Sequence, residues 1–511
     1  MDSPMLISTP VLNAPTSTKA ALPESVADEN TIEVTNPATG KPIAYVKCAT
    51  TEVVDAAVAA AKAALPGWAG LTVKRRAQIM LRFHALIEEH RQELVDLIVK
   101  ENGKNVTEAA GDVAKGLETV EWACSLPQLA QGRILPVSSG VTCHEEHEPV
   151  GVVASIVPFN FPFMVPMWTL PIALTCGNTV VLKPSEKVPL TMARVAELFT
   201  AAGLPDGVLQ IVHGGVPTVE ALTDHPDVNA LTFVGSSRVA KIVHDRARGC
   251  GKKVIALGGA KNHLVAAPDC DVAMAAADIV ASFAGCAGQR CMAAAVLLTI
   301  GDQPALLDAV LEKARALKPG QRGGEVGPLI DAASAARVTR LIDAAEADGA
   351  EILLDGRKGW APDGAEFGGG HWVGPTIIKF PASMAAHPCL VEELFGPVLA
   401  VRVVADANEA LKIENADPHG NAACIYTQSG ATADWYARRF GAAMVGVNIG
   451  VPVPREPFSF GGMEGSKSKY GEHDITGDGA LRFFTWTRKV TTKWSTTPNA
   501  PPDAASFAAT M

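Results

Sequence analysis

Cys291 is the residue whose surroundings first suggest chemistry in this sequence. It lies in the run Gly285-Cys-Ala-Gly-Gln-Arg-Cys-Met-Ala293, between an alanine-rich stretch, 271–284, that predicts a helix and an apolar run, 293–300, that predicts a strand. A thiol at such a junction can face a cleft, and the adjacent Arg290 favours the thiolate. Free cysteines are more often small buried hydrophobes, so the local sequence leaves a catalytic and a structural interpretation open.

Two further segments place small or charged residues directly after predicted strands. Lys183 and Glu186 follow a short apolar run, where a cation and a carboxylate could hold ribose hydroxyls. Gly235 and Ser236 open a predicted helix, where small residues let a phosphate approach backbone N–H groups. The second segment is not a complete GxGxxG motif, so alone it is a weak indication of dinucleotide binding. Lys183 and Glu186 could equally be a surface ion pair.

The elements that would position these residues alternate regularly from residue 151. Strand-like runs at 151–157, 179–183, 208–212, 230–234 and 253–257 are separated by helical patterns at 164–175, 190–202, 216–224 and 238–249. This alternation predicts a parallel sheet covered on both faces, with ligands at the carboxyl ends of its strands. A second α/β domain is indicated by predicted helices at 304–317 and 332–348 and strands at 351–354, 376–379, 398–404, 422–426 and 444–448.

The segments outside this alternation are simpler. The runs 31–35 and 42–47 flank a turn and predict a hairpin, and helical patterns follow at 53–65, 74–102 and 106–125. Residues 134–148 and 485–494 predict extended segments. His144 and His147 would point to opposite faces of such a strand, so we expect no metal site there.

Composition bounds the class of protein. With 511 residues, 48% hydrophobic and 19% charged, the chain can bury the cores of two or three globular α/β domains. A net charge of −10 argues against nucleic acid as the main partner. The ten cysteines form no CxxC pairs or zinc-ligand spacings, which indicates a reducing compartment. No apolar run is long enough for a bilayer, and the first 30 residues resemble neither a signal nor a transit peptide, so we expect a cytoplasmic protein without membrane association.

Several motifs in one fixed order resemble the aldehyde dehydrogenase superfamily over residues 31–494. They are Pro158-Phe-Asn-Phe-Pro162, Gly177-Asn-Thr-Val-Val-Leu-Lys-Pro-Ser-Glu186, Gly203-Leu-Pro-Asp-Gly-Val208, Phe233-Val-Gly-Ser-Ser237, Leu257-Gly-Gly259, Gly288-Gln-Arg-Cys291 and Glu392-Glu-Leu-Phe-Gly-Pro-Val398. The resemblance implies an α/β fold with a Rossmann-type NAD-binding domain (31–133 and 151–257), a catalytic domain (258–450) and a small β oligomerisation element (134–150 and 479–495). Residues 1–30 and 496–511 are expected to be flexible extensions.

The resemblance also implies roles for individual residues. Cys291 would be the nucleophile, and the Asn160 side chain and the Cys291 backbone N–H would donate to the oxyanion. The implied cofactor-binding residues are Phe159, Lys183, Glu186, Gly235, Ser236, Glu393 and Phe395. Among them, 183 and 186 would hold the adenosine ribose, 235 and 236 would lie by the pyrophosphate, and 393 would hold the nicotinamide ribose with 395 near the ring. Cys286 is expected to be structural.

One position departs from the hydrolytic members of the superfamily. Those members carry a glutamate two residues before the Gly258-Gly259 pair to activate the deacylating water, whereas this chain has Ala256. Attack of the thiolate on an aldehyde, followed by hydride transfer to NAD, leaves a thioester. Alanine cannot take a proton from water, so the thioester needs another acceptor, such as the thiol of coenzyme A.

Further segments resemble the CoA-acylating methylmalonate-semialdehyde dehydrogenases. They are Gly258-Gly-Ala-Lys-Asn-His263, Arg290-Cys-Met292, Met444-Val-Gly-Val-Asn448 and Trp486-Thr-Arg-Lys-Val-Thr-Thr-Lys-Trp494. That branch converts methylmalonate or malonate semialdehyde, with NAD and CoA, to propionyl-CoA or acetyl-CoA with loss of carbon dioxide. The substrate carboxylate needs a cation, and Arg290 is placed beside the nucleophile.

The chain also departs from this branch at three positions. Lys115, in Lys115-Gly-Leu-Glu-Thr-Val-Glu121, stands where the branch has an arginine, so a contact with the substrate would keep the charge and lose the bidentate fork. A solvated helix position is an equal alternative for Lys115. Gln289 and Met463 stand where the branch usually has Glu and often has Trp. These departures leave the thiol chemistry intact and the identity of the semialdehyde open.

Three functions therefore remain, and the first is favoured. They are a CoA-acylating semialdehyde dehydrogenase, a hydrolytic aldehyde dehydrogenase with another base, and a non-enzymatic NAD-binding relative. Glu186 on a ribose hydroxyl would repel a 2′-phosphate, which favours NAD over NADP. The resemblance further implies a homodimer or homotetramer.

Overall fold

The strands build two large sheets and two small ones. A computed structural model describes residues 5–7, 30–138 and 140–494. In chain order the strands are β1 (Met5–Ile7), β2 (Thr31–Asn36), β3 (Lys41–Lys47), β4 (Ile134–Ser138), β5 (Val141–Pro149), β6 (Val152–Ile156), β7 (Thr179–Lys183), β8 (Leu209–Ile211), β9 (Ala230–Val234), β10 (Lys253–Leu257), β11 (Asn262–Ala266), β12 (Ala294–Ile300), β13 (Glu351–Leu354), β14 (Thr376–Lys379), β15 (Val398–Val404), β16 (Ala422–Tyr426), β17 (Met444–Val447), β18 (Lys469–Tyr470) and β19 (Thr485–Lys493).

The helices cover the two large sheets and fill the space between elements. In chain order they are α1 (Thr51–Ala69), α2 (Val73–Glu89), α3 (Arg91–Asn102), α4 (Val106–Cys124), α5 (Leu126–Leu129), α6 (Met164–Thr175), α7 (Leu190–Ala201), α8 (Val216–Asp224), α9 (Ser237–Gly249), α10 (Val272–Ala284), α11 (Pro304–Ala316), α12 (Ala332–Ala347), α13 (Pro388–Val391), α14 (Ala407–Asn415), α15 (Gly430–Ala437) and α16 (Gly477–Phe483).

The predicted alternation of strands and helices is confirmed. Strands β7, β9, β10, β13, β14, β15 and β16 and helices α6 and α8 have the predicted bounds. The predicted hairpin is the antiparallel pair β2–β3. Strands β11 and β18 and helices α14 and α15 were not predicted, because each is short and interrupted by polar residues or glycine. The predicted extension 1–30 lies outside the described residues except for β1, which pairs with β3, and residue 30; the predicted tail 496–511 lies outside them entirely.

The prediction of one helix over 74–102 was wrong. The chain forms α2 and α3 instead, and His90 between them has φ −97° and ψ 15°, outside the helical region. The His90 ring bonds to the Glu93 carboxylate at 3.0 Å. Both helices contribute apolar side chains to one core, which explains why the apolar periodicity continues across the break.

The sheet nearest the predicted cofactor residues has the order β18-β10-β9-β6-β7-β8. All neighbouring pairs are parallel except β10–β18. The edge strand β18 comes from a segment outside the predicted bounds of the NAD-binding domain. The chain proceeds from β6 to β7 and β8 on one side and then to β9 and β10 on the other. The strand order therefore reverses between β6 and β9, and such a reversal opens a crevice at the carboxyl ends.

The second large sheet has the order β13-β14-β15-β12-β11-β16-β17, with only β13–β14 antiparallel. Strands β19, β5 and β4 form a separate antiparallel sheet that joins the two segments predicted as an oligomerisation element. Its assembly role stays a prediction, as do the domain bounds. Among the described residues no single helix could span a membrane; α1 and α2 meet the length and apolarity criteria only as a pair bent by 116°.

Asn178 connects the start of β6, in the sheet β18-β10-β9-β6-β7-β8 (called the cofactor sheet below), to the end of the C-terminal helix α16. Its buried side chain accepts from the Gly151 N–H at 3.0 Å and donates to the Ala173 and Phe484 carbonyls, both at 3.0 Å. We expect Asn178→Ala to destabilise the fold by about 2–4 kcal/mol, since it leaves buried backbone groups unpaired. Differential scanning calorimetry should show a clear fall in Tm, whereas Asn408→Ala at an exposed position should not. An unchanged Tm for Asn178→Ala would contradict this role.

Candidate active site

A cavity of about 880 Å³ lies where the two large sheets meet. The following predicted site residues line it: Lys115, Phe159, Asn160, Gly235, Ser236, Arg290, Cys291, Glu393 and Phe395. Phe159 and Asn160 follow β6, and Gly235 and Ser236 follow β9, so the cavity opens at the reversal of strand order. The fold thus brings together residues that are up to 280 positions apart in the sequence.

Lys183 and Glu186 lie outside this cavity, at the carboxyl end of β7. Lys183 is only 3% exposed. Its Nζ donates to the Pro184 and Gly214 carbonyls at 2.8 Å each and lies 3.3 Å from the Glu186 carboxylate. Burial lowers the pKa of Lys183 despite the adjacent carboxylate. The pair is therefore not a plain surface ion pair, and β7 places it one strand away from Phe159 and Asn160.

The N-terminus of α9 has the geometry of an anion site. Ser236 is its N-cap residue and makes no side-chain cap hydrogen bond, which leaves the first backbone N–H groups of the helix open. The neighbouring Ser237 hydroxyl accepts from the Gly259 N–H at 3.0 Å and so fixes the helix start to the end of β10. Together with the crevice beside β6, these groups fit the diphosphate of a dinucleotide.

A strained bend presents Cys291 to the cavity. After α10, Cys286 and Ala287 adopt left-handed φ values of 54° and 52°, and Gly288 follows at 69°. The carboxylate of Glu108 accepts from the Cys286 N–H at 2.5 Å and holds the bend in place. At Gly288, a Cβ would lie 2.1 Å from the Gly396 carbonyl oxygen, so only glycine fits. Non-glycine residues with positive φ need such support from their surroundings.

Two asparagine side chains hold the Cys291 backbone. Asn262 Nδ2 donates to the Cys291 carbonyl at 2.7 Å, and Asn421 Nδ2 donates to it at 3.2 Å. Burial, followed by the charge of Glu393, raises the pKa of the Cys291 thiol to about 11. Arg290 and the backbone N–H groups of Cys291 and Met292 act in the opposite direction. The predicted influence of Arg290 thus has the right sign, but desolvation outweighs it.

Asn160 lies against the segment that carries Cys291. Its Nδ2 donates to the Gln289 carbonyl at 2.9 Å, which uses one of two amide N–H groups and leaves the other for an oxyanion. Behind it, Lys104 donates to the Asn160 carbonyl and pairs with Asp112 at 2.9 Å. The other Asp112 oxygen accepts from the N–H of Met164, the first residue of α6, at 2.7 Å.

Arg290 lines the cavity but directs part of its guanidinium to the end of α10. Its Nη2 donates to the carbonyls of Ala281 and Ser282 at 2.7 and 2.8 Å. Its buried Nε has no hydrogen-bond partner among the described residues. Arg290 thus lines the cavity next to the nucleophile, while its unpaired Nε is buried away from the cavity space.

The Glu393 side chain lies against the backbone that connects β10 to β11. Its Oε1 accepts from the Ala260 N–H at 3.0 Å, and a Cβ at Gly259 would lie 2.0 Å from Oε2. Arg337 donates to the Glu393 and Leu394 carbonyls and fixes the loop. Burial raises the pKa of the Glu393 carboxyl group. Phe395, with φ 51°, turns its ring towards Phe159 at a centroid distance of 5.8 Å.

The departures from the acylating branch fall in different places. Gln289 is buried outside the cavity, where its amide accepts from the Ile330 N–H at 3.0 Å and lies 3.4 Å from the Cys286 and Pro328 carbonyls. A glutamate could not make those two donations, so this position supports the bend rather than the substrate. Met463 also lies outside the lining, whereas Lys115 lines the cavity and bonds to Glu118.

The sequence reasoning missed several residues that build the site. Lys104 and Arg337 donate to the backbone carbonyls of Asn160 and Glu393. Glu108 and Asp112 accept from the backbone N–H groups of Cys286 and Met164, which lie near Cys291 and Asn160 in the sequence. Only the presence of charged residues inside an otherwise apolar helical pattern could have indicated Glu108 and Asp112. Within the described ranges, no three or more His, Cys, Asp or Glu side chains are grouped to hold a metal ion.

The influence of Glu393 on the thiol can be measured directly. At neutral pH the free enzyme should hold Cys291 as the thiol, because its pKa is raised to about 11, and alkylation by iodoacetamide should accelerate as the pH rises. Glu393→Gln removes a negative charge and should shift this profile to lower pH. Glu392→Gln, one residue away and exposed, is the control. A profile for Glu393→Gln that is unchanged or shifted upwards would contradict the electrostatic account.

The Lys104–Asp112 pair should matter for stability and for catalysis. Asp112→Asn leaves a buried ammonium unpaired and should cost about 3–5 kcal/mol, measured as a fall in Tm. It should also lower kcat by displacing Asn160. Asp227→Asn removes the partner of the exposed Lys62 and should leave both close to wild type. Normal kcat in a folded Asp112→Asn enzyme would show that the pair does not position Asn160.

Comparisons with known proteins agree with this architecture. The sequence profile described as the aldehyde dehydrogenase family matches residues 25–490. The malonate-semialdehyde dehydrogenase 1 of Geobacillus thermodenitrificans is 42% identical over 466 residues, which cover 90% of this chain and 95% of the relative. The human mitochondrial methylmalonate-semialdehyde/malonate-semialdehyde dehydrogenase [acylating] is 40% identical and covers 91% of this chain and 86% of the relative.

Comparison with solved structures also shows similarity over most of the chain. The methylmalonate-semialdehyde dehydrogenase DddC from Oceanimonas doudoroffii superposes with a TM-score of 0.89 at 38% identity, covering 92% of this chain and 96% of the other. A Sinorhizobium meliloti protein whose structure contains NAD superposes with a TM-score of 0.88 at 35% identity, with coverage of 92% and 96%. Fold, site and similarity over most of the sequence lead to one conclusion: this chain belongs to the aldehyde dehydrogenase family.

Proposed function

We propose that the protein catalyses the NAD-dependent, CoA-acylating oxidation of malonate or methylmalonate semialdehyde to acetyl-CoA or propionyl-CoA with release of carbon dioxide. The observation that carries the proposal is Ala256, fully buried at the end of β10. It stands where hydrolytic family members have their base, while Cys291 and Asn160 line the cavity. The Geobacillus and human relatives, named for these semialdehydes, support the choice of substrate.

The residues of this chain account for the chemistry at the thiol. Cys291 Sγ, as the thiolate, attacks the aldehyde carbon, and the alkoxide receives hydrogen bonds from Asn160 Nδ2 and the Cys291 backbone N–H. A bound NAD supplies the hydride acceptor. Once the former aldehyde carbon has lost its hydride, a malonyl or methylmalonyl thioester of Cys291 remains. Its carboxylate leaves as carbon dioxide, and the α carbon takes up a proton, which gives an acetyl or propionyl thioester. The CoA thiol then attacks this thioester and releases Cys291 as the thiol, so no protein base is needed to activate water.

The arrangement at the cofactor sheet supports NAD. The open N-terminus of α9 fits a diphosphate, and the Lys183–Glu186 pair lies at the carboxyl end of β7, two strands from β9. The Glu186 carboxylate is 32% exposed and carries a negative charge that would repel a 2′-phosphate. We therefore favour NAD over NADP, with Glu393 for the nicotinamide ribose and Phe159 and Phe395 beside the ring.

A hydrolytic reaction is the second candidate, because Glu108 and Glu393 put two carboxylates in the same cavity. Burial raises the pKa of both, which suits a general base. Each has one oxygen bonded to a backbone N–H, of Cys286 and Ala260 respectively, and this favours a structural use. Hydrolysis and acylation differ in whether turnover needs CoA.

We further propose that the protein forms a homodimer or homotetramer and is located in the cytoplasm. The β4–β5–β19 sheet exposes Ile134, Leu135, Val137 and Trp486, and Ile134 is 69% accessible in the single chain. Apolar side chains gathered on one small sheet are typical of an interface. The cellular location rests on composition alone.

The requirement for CoA is the decisive test. Without CoA, rapid-quench measurement of NADH should show a burst of about one equivalent per active site and then nearly stop, because the thioester has no acceptor. Added CoA should restore steady turnover and yield acyl-CoA. Cys291→Ser should give no burst. Continuous NADH formation without CoA, with free acid as product, would establish the hydrolytic alternative instead.

A further inference from the structure

Arg455 is a further cation on the wall of the cavity. It lies in the loop after β17, and its side chain is 64% exposed in the single chain. Its Nε is 3.6 Å from Glu118 Oε2, and its Nη2 is 3.8 Å from Glu121 Oε2. Both separations are too long for hydrogen bonds, so the donors of Arg455 make none with the described residues.

Lys115, the cation that the sequence offers for the substrate carboxylate, differs from Arg455 because its side chain is already hydrogen-bonded. Its Nζ bonds to both Glu118 oxygens, at 3.0 and 3.1 Å. Lys115 and Arg455 therefore contact the same carboxyl group, and the guanidinium of Arg455 lies beside the position where the sequence placed the substrate cation. Glu118 already satisfies the ammonium of Lys115, which in any case cannot offer a planar pair of donors.

The loop that carries Arg455 is attached to the helix that carries Lys115. The Thr119 hydroxyl donates to the carboxylate of Glu456 at 3.2 Å, which joins the loop to α4. On another part of the wall, Arg290 Nη2 donates to the carbonyls of Ala281 and Ser282, and its buried Nε has no partner among the described residues. Three other cations on the wall are also engaged: Lys115 bonds to Glu118, Lys469 pairs with Asp474, and Arg337 donates to the Glu393 and Leu394 carbonyls. Arg455 is thus the cation of the lining whose side chain makes no hydrogen bond with the described residues.

We infer that Arg455 binds the carboxylate of the semialdehyde, supplying the bidentate contact that Lys115 cannot make, with Arg290 as the second cation. The inference rests on the proposed function and names the residue that selects a carboxylated aldehyde over an uncharged one. Exchanging Glu118 for the substrate carboxylate costs Arg455 little, because its existing ion pairs are long and exposed. A substrate carboxylate can instead face both guanidinium donors in one plane.

The test compares malonate semialdehyde with propanal, an uncharged aldehyde with the same number of carbons, at saturating NAD and CoA. Arg455→Met should lower the ratio of kcat/KM for semialdehyde to that for propanal by about 10- to 100-fold, mainly through KM for the semialdehyde. Arg455→Lys should recover only part of the loss, since it restores the charge without the fork. Arg438→Met, which removes an exposed arginine directly after α15, is the matched control.

The other outcomes separate the two proposals. If wild type requires CoA and prefers the semialdehyde, but Arg455→Met keeps that preference, the inference about Arg455 fails and the proposed function stands. An equal loss for both aldehydes, or a rise only in KM for CoA, likewise overturns the inference, since either result places Arg455 away from the carboxylate. A wild type that shows no preference for the semialdehyde overturns both.

Discussion

The buried ion pair between Lys104 and Asp112 is the contact on which the geometry of the catalytic cavity depends. Both side chains are at most 3% exposed, and together they reach the Asn160 carbonyl and the first N–H of α6. A charge pair in such a place is expensive to desolvate and costly to break. It fixes the loop after β6 from behind, so that the Asn160 amide faces the cysteine segment rather than solvent.

Contacts between side chains and the backbone also hold the segment that carries the Cys291 thiol. Glu108 supports the left-handed bend through the Cys286 N–H, and Asn262 and Asn421 hold the Cys291 carbonyl. Burial places the thiol in surroundings that disfavour its charged form. The raised pKa favours the thiol over the thiolate in the free protein, and Arg290 and the backbone N–H groups of Cys291 and Met292 act in the opposite direction. Reactivity depends on the few donors directed at Sγ and on what enters the cavity.

The departures from related enzymes have separate physical meanings once the fold is known. Gln289 donates to two carbonyls that a glutamate could not serve, so it belongs to the support of the bend. Ala256 is part of an apolar core, which removes the deacylating base without leaving a polar group unpaired. Of the three positions that differ from the acylating branch, Lys115 lies in the cavity lining, and Arg455, which we propose as the carboxylate ligand, lies beside it.

The sequence by itself determined the alternating α/β architecture, because apolar runs separated by helical patterns are typical of parallel strands joined by helices. Its ordered motifs also indicated the family, which is confirmed, and predicted Cys291 and Asn160 as site residues. The tertiary structure alone decided which charged residues act on the site. Lys104 and Arg455 carry no local signal, since their surroundings consist of atoms distant in sequence, such as the Asn160 carbonyl and the Glu118 carboxylate. The break at His90 was not predicted for a related reason. Both helices bury apolar faces in one core, so the apolar periodicity continues across the point where the helix is interrupted.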